Sequence, residues 1–165
     1  VNPAAARIVP LADLPALVDV LAERHHAEWG ALMPGWSHAD ARAELTDHAN
    51  RHGVPTTLVA VDADGAPLGS VSVVDEDAPE FADRSPWLAS LYVWPHARGR
   101  GLGARLVAAA VELAAACGVP RLHLFTPEHR AWYEALGWQW SARRPLGAVD
   151  VDLMWIVPRA GGFLS

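Results

Sequence analysis

Trp87-Leu-Ala-Ser-Leu-Tyr-Val-Trp-Pro-His-Ala-Arg-Gly-Arg-Gly-Leu-Gly-Ala-Arg105 decides how this chain is read. An apolar run from Trp87 to Trp94 stops at Pro95, and an arginine-glycine turn, Arg98 to Gly103, then opens a long alanine- and leucine-rich stretch. The pattern is a strand, a turn and the mouth of a helix. The first N–H groups of a helix have no intrahelical acceptor, and glycines let a ligand approach the backbone, so this turn suits an anion such as a pyrophosphate. Arg98 and Arg100 add positive charge at the same place. Two familiar phosphate motifs are excluded. A P-loop needs Gly-Lys before Ser or Thr, and the chain has no lysine; the dinucleotide fingerprint needs a glycine three residues after Gly103, where Leu106 stands.

Composition sets the frame around this segment. With 165 residues, 52% hydrophobic and 19% charged, the chain is expected to form one domain over residues 1–165 with a core that needs no disulfide. Its one cysteine, Cys117, in Ala-Ala-Ala-Cys-Gly, reads as a small buried residue near a helix end, and a reducing cytoplasm is the expected compartment. No apolar run approaches the roughly 20 residues that span a bilayer, so no membrane partner is expected. The formal net charge is −6 and all 13 basic residues are arginines, without the broad basic surface that binds nucleic acid.

The remaining sequence alternates strands and helices. Ala6 to Val9 is a candidate first strand, and Leu11 to Met33 reads as a helix with Leu14, Leu17, Val18, Leu21 and Ala22 on one face, broken by Pro34-Gly35. Ser37 caps a second helix to about Asn50. Thr56 to Asp62 and Pro67 to Asp75 form strands joined through Asp64-Gly65, a hairpin signal. After the motif strand, Trp87 to Val93, a helix runs from Gly101 to about Cys117 and stops at Gly118 and Pro120. Arg121 to Phe125, Trp138 to Ala142 and Val149 to Val157 are the last three strands, with a short helix from Glu128 to Leu136 between the first two of them. Trp87, Trp138 and Trp155 read as core. The sum is an α/β (α+β) arrangement, a mixed, largely antiparallel seven-stranded sheet flanked by helices.

Arg98-x-x-Gly101-x-Gly103 after a strand resembles the acetyl-CoA motif of the GCN5-related N-acetyltransferase (GNAT) superfamily. A second motif, Ala131-Trp132-Tyr133-Glu134-Ala135-Leu136-Gly137-Trp138, is similar to that superfamily's closing signature, and the resemblance covers roughly residues 55 to 157. It implies a GNAT fold whose fourth and fifth strands splay, with the pantetheine arm of acetyl-CoA along Leu91, Tyr92 and Val93. The pyrophosphate is then expected on the turn formed by Arg98, Gly99, Arg100, Gly101, Leu102, Gly103 and Ala104, and strand N–H groups near Leu91 are expected to face the developing oxyanion. The resemblance makes Tyr133 the general acid at the leaving thiolate. Many relatives carry an Asn shortly before this Tyr; the connection Thr126-Pro127-Glu128-His129-Arg130 has none, and Thr126 or the backbone is the candidate substitute. No single base transfers from the family. His123, acting through water, Ser90 and then Glu28 are the candidates, since the position some relatives give to Glu or His on the fifth strand is Phe125 here.

For the acceptor, Trp29 and Trp36 flank the break between the first two helices as candidate pocket walls with Glu28. The acidic segment Asp75-Glu76-Asp77-Ala-Pro-Glu80-Phe-Ala-Asp83 is either solvated surface or, through residues such as Glu80, a lure for a cationic amine. His48 and His52 have the i, i+4 spacing of metal ligands but no evident third ligand, so no metal is expected. The implied activity is acetyl transfer from acetyl-CoA to a primary amine, either a small molecule or a peptide N-terminus. A binding module of the same fold without turnover and an acyltransferase using another acyl-CoA stand beside it. A homodimer is compatible with each of these three readings.

Overall fold

The computed structural model describes residues 5–161. Seven strands form one sheet: β1 (Arg7–Pro10), β2 (Thr56–Val61), β3 (Pro67–Val74), β4 (Trp87–Val93), β5 (Leu122–Thr126), β6 (Gln139–Leu146) and β7 (Val149–Ile156). Their order is β1-β2-β3-β4-β5-β7-β6, antiparallel throughout except between β4 and β5. Four helices flank them: α1 (Val18–Trp29), α2 (His38–His48), α3 (Leu102–Ala116) and α4 (Arg130–Ala135).

Side-chain periodicity assigns the two faces. In α3, Leu102, Leu106, Val107, Ala110, Val111 and Ala114 recur at helical spacing and pack on Leu58, Ala60, Val71, Val73, Leu88 and Leu124 of the sheet. Each fully buried leucine is worth about 1.5–3 kcal/mol, against tenths of a kcal/mol per residue for helix propensity, so packing rather than alanine content holds α3 in place. On the opposite face α1 and α2 cover Val59, Val61, Tyr92 and Trp94. A separate cluster beside them joins Val74, Ala78, Phe81, Trp87, Ala89, Val151 and Leu153. Local chemistry fixes the connections. Ser37 and Asp40 make a reciprocal capping box at α2, and Asp62 accepts the N–H groups of Asp64 and Ala66, both at 2.9 Å, inside the β2–β3 turn where Gly65 has φ +83°.

The structure departs from the sequence reading in several places. The long helix expected from Leu11 to Met33 is two 3₁₀ turns, Leu11–Asp13 and Pro15–Leu17, then α1, then a 3₁₀ turn at Gly30–Leu32. Pro15 has no N–H to give a helix and Leu14 leaves the helical region at φ −134°, ψ 55°, so α1 begins only at Val18. The sixth strand extends through Pro145 to Leu146 because β6 is an edge strand, where a proline costs no ladder bond. Cys117 is exposed. Trp87 and Trp138 are core, whereas Trp155 is only half-buried, with the Arg121 guanidinium 4.1 Å over its ring.

At Gly69, β3, β4 and α3 approach closely: a Cβ there would sit 2.7 Å from the Tyr92 carbonyl oxygen and 3.1 Å from Leu106 Cδ1. Gly69→Ala is therefore expected to lower stability by about 1–3 kcal/mol in urea denaturation. Gly53→Ala, which would meet only the Cys117 sulfur at 3.9 Å, is the control and should leave the midpoint unchanged or slightly raised. Equal midpoints for the two variants would contradict the close approach.

Candidate active site

β4 and β5 share one register pair, Trp87 with His123, and beyond it the strands part. The split widens toward their C-terminal ends, where β4 runs into the glycine turn. A β-bulge lies within it: Ser70 faces Tyr92 and Ser72 faces Ala89, so Ser90 and Leu91 together oppose the single residue Val71. Ser90 takes φ +53°, the one non-glycine residue with positive φ among the described residues. An αL residue inside a strand turns its neighbours' peptide groups out of the ladder direction, which leaves β4 backbone polar groups available to a ligand in the split.

The open end of the split meets the mouth of α3. Gly99 (φ +77°) and Gly101 (φ +82°) carry the turn, Gly101 is the N-cap residue, and no side chain caps the helix. The N–H groups of Leu102, Gly103 and Ala104 therefore have no intrahelical acceptor at the end of the turn that follows β4. A Cβ on Gly103 would lie 3.6 Å from the Trp132 ring, an ordinary contact, whereas at Gly99 and Gly101 a Cβ would meet nothing within 4 Å and the positive φ alone calls for glycine. Arg98 folds back: its Nε donates to the Val93 carbonyl at 2.8 Å and its guanidinium lies 5.4 Å over the Tyr92 ring. Arg98 thus braces the end of β4, and Leu91 and Val93 are half-buried there.

α4 brings Tyr133 to the same region. Its ring is buried between Trp132 (4.9 Å between centroids) and Trp138 (6.0 Å), while its hydroxyl has no protein hydrogen bond among the described residues and is not sealed from solvent. Burial pushes the phenol up to about 12, so it stays protonated throughout the physiological range. Thr126 starts this connection by accepting the His129 N–H on its hydroxyl at 3.0 Å. It therefore shapes the turn into α4. His123 sits at the closed end of the split, against Trp87 at 5.6 Å, with a buried Nδ1 that has no partner. Burial first, then Arg84 and Arg121, lower its pKa, which keeps the ring neutral near pH 7.

On the face opposite α3, the structure holds a polar network the sequence reading missed. His25 Nε2 bonds Ser70 Oγ at 2.9 Å, and His48 Nδ1 bonds Thr57 Oγ1 at 2.9 Å, which in turn meets Ser72 Oγ at 2.8 Å. His48 is buried, and exposed His52 pairs with Asp13 at 2.8 Å, so the two histidines read as a spaced pair do different work. The available signal was Ser70 and Ser72 on alternate positions of an otherwise apolar strand, which demand partners from the covering helices. Burial, then His48, lowers His25 to about 4. Trp29 lies edge-on to His25 and Tyr92, and Trp36 is near His26, while Glu28 is exposed.

The acidic segment divides. Asp75 and Glu76 are exposed; Asp77 is partly buried, and burial followed by the Glu44 carboxylate pushes it up to about 7. Glu80 lines a cavity of about 570 Å³ with Phe81, Asp83, Arg84, Arg144 and Leu153. Its walls are this loop and the β6–β7 hairpin, so of the four acceptor candidates it takes Glu80, while Glu28, Trp29 and Trp36 stand on the neighbouring α1 and α2 region. Among the described residues no group of His, Cys, Asp and Glu is placed to hold a metal, and no helix is long and apolar enough to cross a membrane.

The site thus joins a split parallel strand pair to an uncapped glycine-rich helix mouth, with a protonated phenol beside it. The sequence model of the acetyltransferase (GNAT) family matches residues 21–138, and the chain belongs to that family. By that membership it is an acetyltransferase. No curated protein matches it. Among solved structures it is similar to yncA of Salmonella typhimurium, solved with acetyl-CoA as cofactor (17% identity, 96% of each chain, TM-score 0.69). It is also similar to an aminoglycoside 6'-N-acetyltransferase complexed with coenzyme A (16%, 88% of this chain and 92% of that one, 0.66). A third is a spermidine N-acetyltransferase from Vibrio cholerae in complex with CoA and spermine (17%, 94% and 96%, 0.65).

The two buried groups have opposite effects on stability. His25 takes up a proton near 6.5 when unfolded but near 4 when folded, so its contribution is complete above pH 6.5 and is lost as pH falls toward 4. Asp77 keeps its proton to about 7 when folded against 3.8 when unfolded, so its contribution is complete below 3.8 and is lost as pH rises toward 7. Between pH 4 and 6.5 these slopes oppose each other. Asp77→Asn removes one of them, and its stability measured by urea denaturation is expected to rise more steeply with pH in that window than the parent's. Superimposable profiles would show that Asp77 titrates as an ordinary exposed carboxyl.

Proposed function

We propose that this acetyltransferase transfers the acetyl group of acetyl-CoA to a primary amine, in a small molecule or at a peptide N-terminus, by direct attack in a ternary complex. The observation that carries the reading is the alignment of the open β4–β5 split with the uncapped α3 mouth and the free Tyr133 hydroxyl. The N–H groups of Leu102, Gly103 and Ala104 receive the pyrophosphate, with Gly99 and Gly101 giving it access and Arg100 adding charge. Leu91, Tyr92 and Val93 flank the pantetheine arm, and the turned peptides of the Ser90–Leu91 bulge face the thioester carbonyl, where negative charge develops as nitrogen adds. Thr126 holds the turn that sets α4 against the thiol end.

In the reaction the amine loses a proton, its nitrogen bonds to the carbonyl carbon, the C–S bond breaks, and the sulfur leaves as thiolate. Tyr133, still a phenol at any working pH, donates a hydrogen bond or proton to that sulfur. His123 is neutral and able to accept the amine proton through water, with Ser90 positioning that water. Acetylation of amines by the aminoglycoside and spermidine enzymes of like fold supports an amine acceptor. A thiol-release assay with acetyl-CoA across a panel of primary amines tests the proposal; acetyl-CoA binding without thiol release from any amine would reject it.

Two variants test the residue roles. Gly101→Asp forces a Cβ into a backbone at φ +82° and sets a negative charge against the pyrophosphate; acetyl-CoA binding measured by calorimetry is expected to disappear, and unchanged affinity in a folded variant would move the anion site elsewhere. Tyr133→Phe is expected to lower kcat by roughly ten- to a thousandfold with little change in acetyl-CoA affinity. A parental kcat in the Phe variant would make Tyr133 a packing residue.

A further inference from the structure

The cavity of about 570 Å³ on the face opposite α3 carries both signs of charge over an apolar floor. Phe81 and Leu153 are buried and form the floor with Pro79 and Pro145; Glu80, Asp83, Arg84 and Arg144 stand around it. Two of the four charges are committed. Arg84 Nη1 donates to Ser141 Oγ at 3.3 Å, and its Nε lies 3.9 Å from Asp83. Arg144 and Glu80 have no ion pair or hydrogen bond among the described residues, and both are exposed on the cavity.

Strand order gives the cavity a direction. The Phe81 ring packs at 6.0 Å from both Trp87 of β4 and Phe125 of β5, so Phe81, next to Glu80 in the chain, borders the β4–β5 pair. Arg144 faces Val151 across the β6–β7 ladder, and β6 lies two strands beyond β5, so the cationic end lies away from the split. A ligand spanning the cavity meets a carboxylate on the side nearer β4 and β5 and a guanidinium at the far end.

We infer that the acceptor is an amine that also carries a carboxylate, an amino acid or short peptide with an apolar side chain, its ammonium near Glu80 and its carboxylate on Arg144. This rests on the amine-acetylation reading above and narrows its substrate class. A polyamine is disfavoured, because its second cation would be driven against Arg144 and Arg84. The guanidinium fork matches a carboxylate in two parallel hydrogen bonds, and the Phe81–Leu153 floor takes the apolar side chain between the two charged ends.

The test compares the parent and Arg144→Gln, both loaded with CoA, in calorimetric titrations with leucine, leucinamide, phenylalanine, phenylalaninamide and spermidine. Thiol release from acetyl-CoA is measured with the same five compounds. The parent is expected to bind each free acid at least tenfold more tightly than its amide, and Arg144→Gln to erase that difference by weakening the acids alone. In turnover the change should appear in KM for the acids, with kcat and acetyl-CoA affinity unchanged. Amides or spermidine bound as tightly as the acids, an equal effect of Arg144→Gln on acids and amides, or no binding of any acid would each overturn the inference. Preference for the acids without thiol release leaves the site standing and removes the transfer reading; thiol release without that preference does the reverse.

Discussion

The structure depends on one parallel strand contact, Trp87 with His123, and on the strands separating beyond it. Parallel strands cannot be joined by a tight turn, so the chain must leave β4, cross the sheet as α3 and return as β5. That crossover is what puts a helix N-terminus at the open end of the split. Anion site and strand gap are therefore set by one continuous piece of chain and cannot drift apart independently. The closed end is clamped by a dense aromatic group, Trp87, Phe81, Phe125 and His123, with Trp87 Nε1 donating to the Arg84 carbonyl at 2.7 Å. Against this clamp works the bulge at Ser90, whose left-handed backbone costs about 1–3 kcal/mol for a residue with a Cβ. Burial of Trp87 and its neighbours offsets that strain at the place where it arises.

In the proposed reaction the sheet also separates the two reactants. α3, α4 and the Tyr133 ring lie on one face, and α1, α2 and the 79–84 loop lie on the other. In an unbroken sheet these chemistries would be isolated by a layer of backbone. In the proposed reaction the β4–β5 split is the passage where donor and acceptor meet.

Much of this was legible from residues. β4 was read with its observed bounds, because the apolar run ends at a proline and the glycines after it permit only a turn. α2 announced itself through Ser37, which the structure shows to share a capping box with Asp40. The split was accessible only through resemblance, since nothing in Leu-His-Leu-Phe-Thr states that β5 pairs with β4 at a single residue. The α1 region misled because Leu11 to Leu17 carries apolar residues that fit a helical face while Pro15 forbids one. The cavity was illegible for another reason: Glu80 and Arg144 are 64 positions apart, and periodicity within one element contains no information about which loop covers which hairpin. Arg143 and Arg144 look equivalent in sequence, yet the strand alternation sends Arg143 to Asp152 at 2.9 Å and leaves Arg144 on the cavity.

The histidine and hydroxyl groups beneath α1 and α2 bear on how accurately the site is held. A buried hydrogen bond adds only about 0.5–1.5 kcal/mol net, but a buried partner left alone loses about 1–3 kcal/mol, so such pairs define position more than they add stability. Here the pair His25–Ser70 ties α1 to β3 at the residue opposite Tyr92, beside the bulge. A helix held by apolar contacts alone can slide by a fraction of a turn at little cost, because Leu, Val and Ala surfaces are tolerant of register. Sliding α1 would strand the His25 ring and the Ser70 hydroxyl together. It would also shift Trp29 off His25 and Tyr92, and Tyr92 is fixed in turn by the close approach of its carbonyl to Gly69. The polar pair under α1 and the missing side chain at Gly69 thus bear on the same few residues of β4 from opposite faces of the sheet. Their joint effect is to hold the bulge, and with it the peptide groups facing the split, in one place.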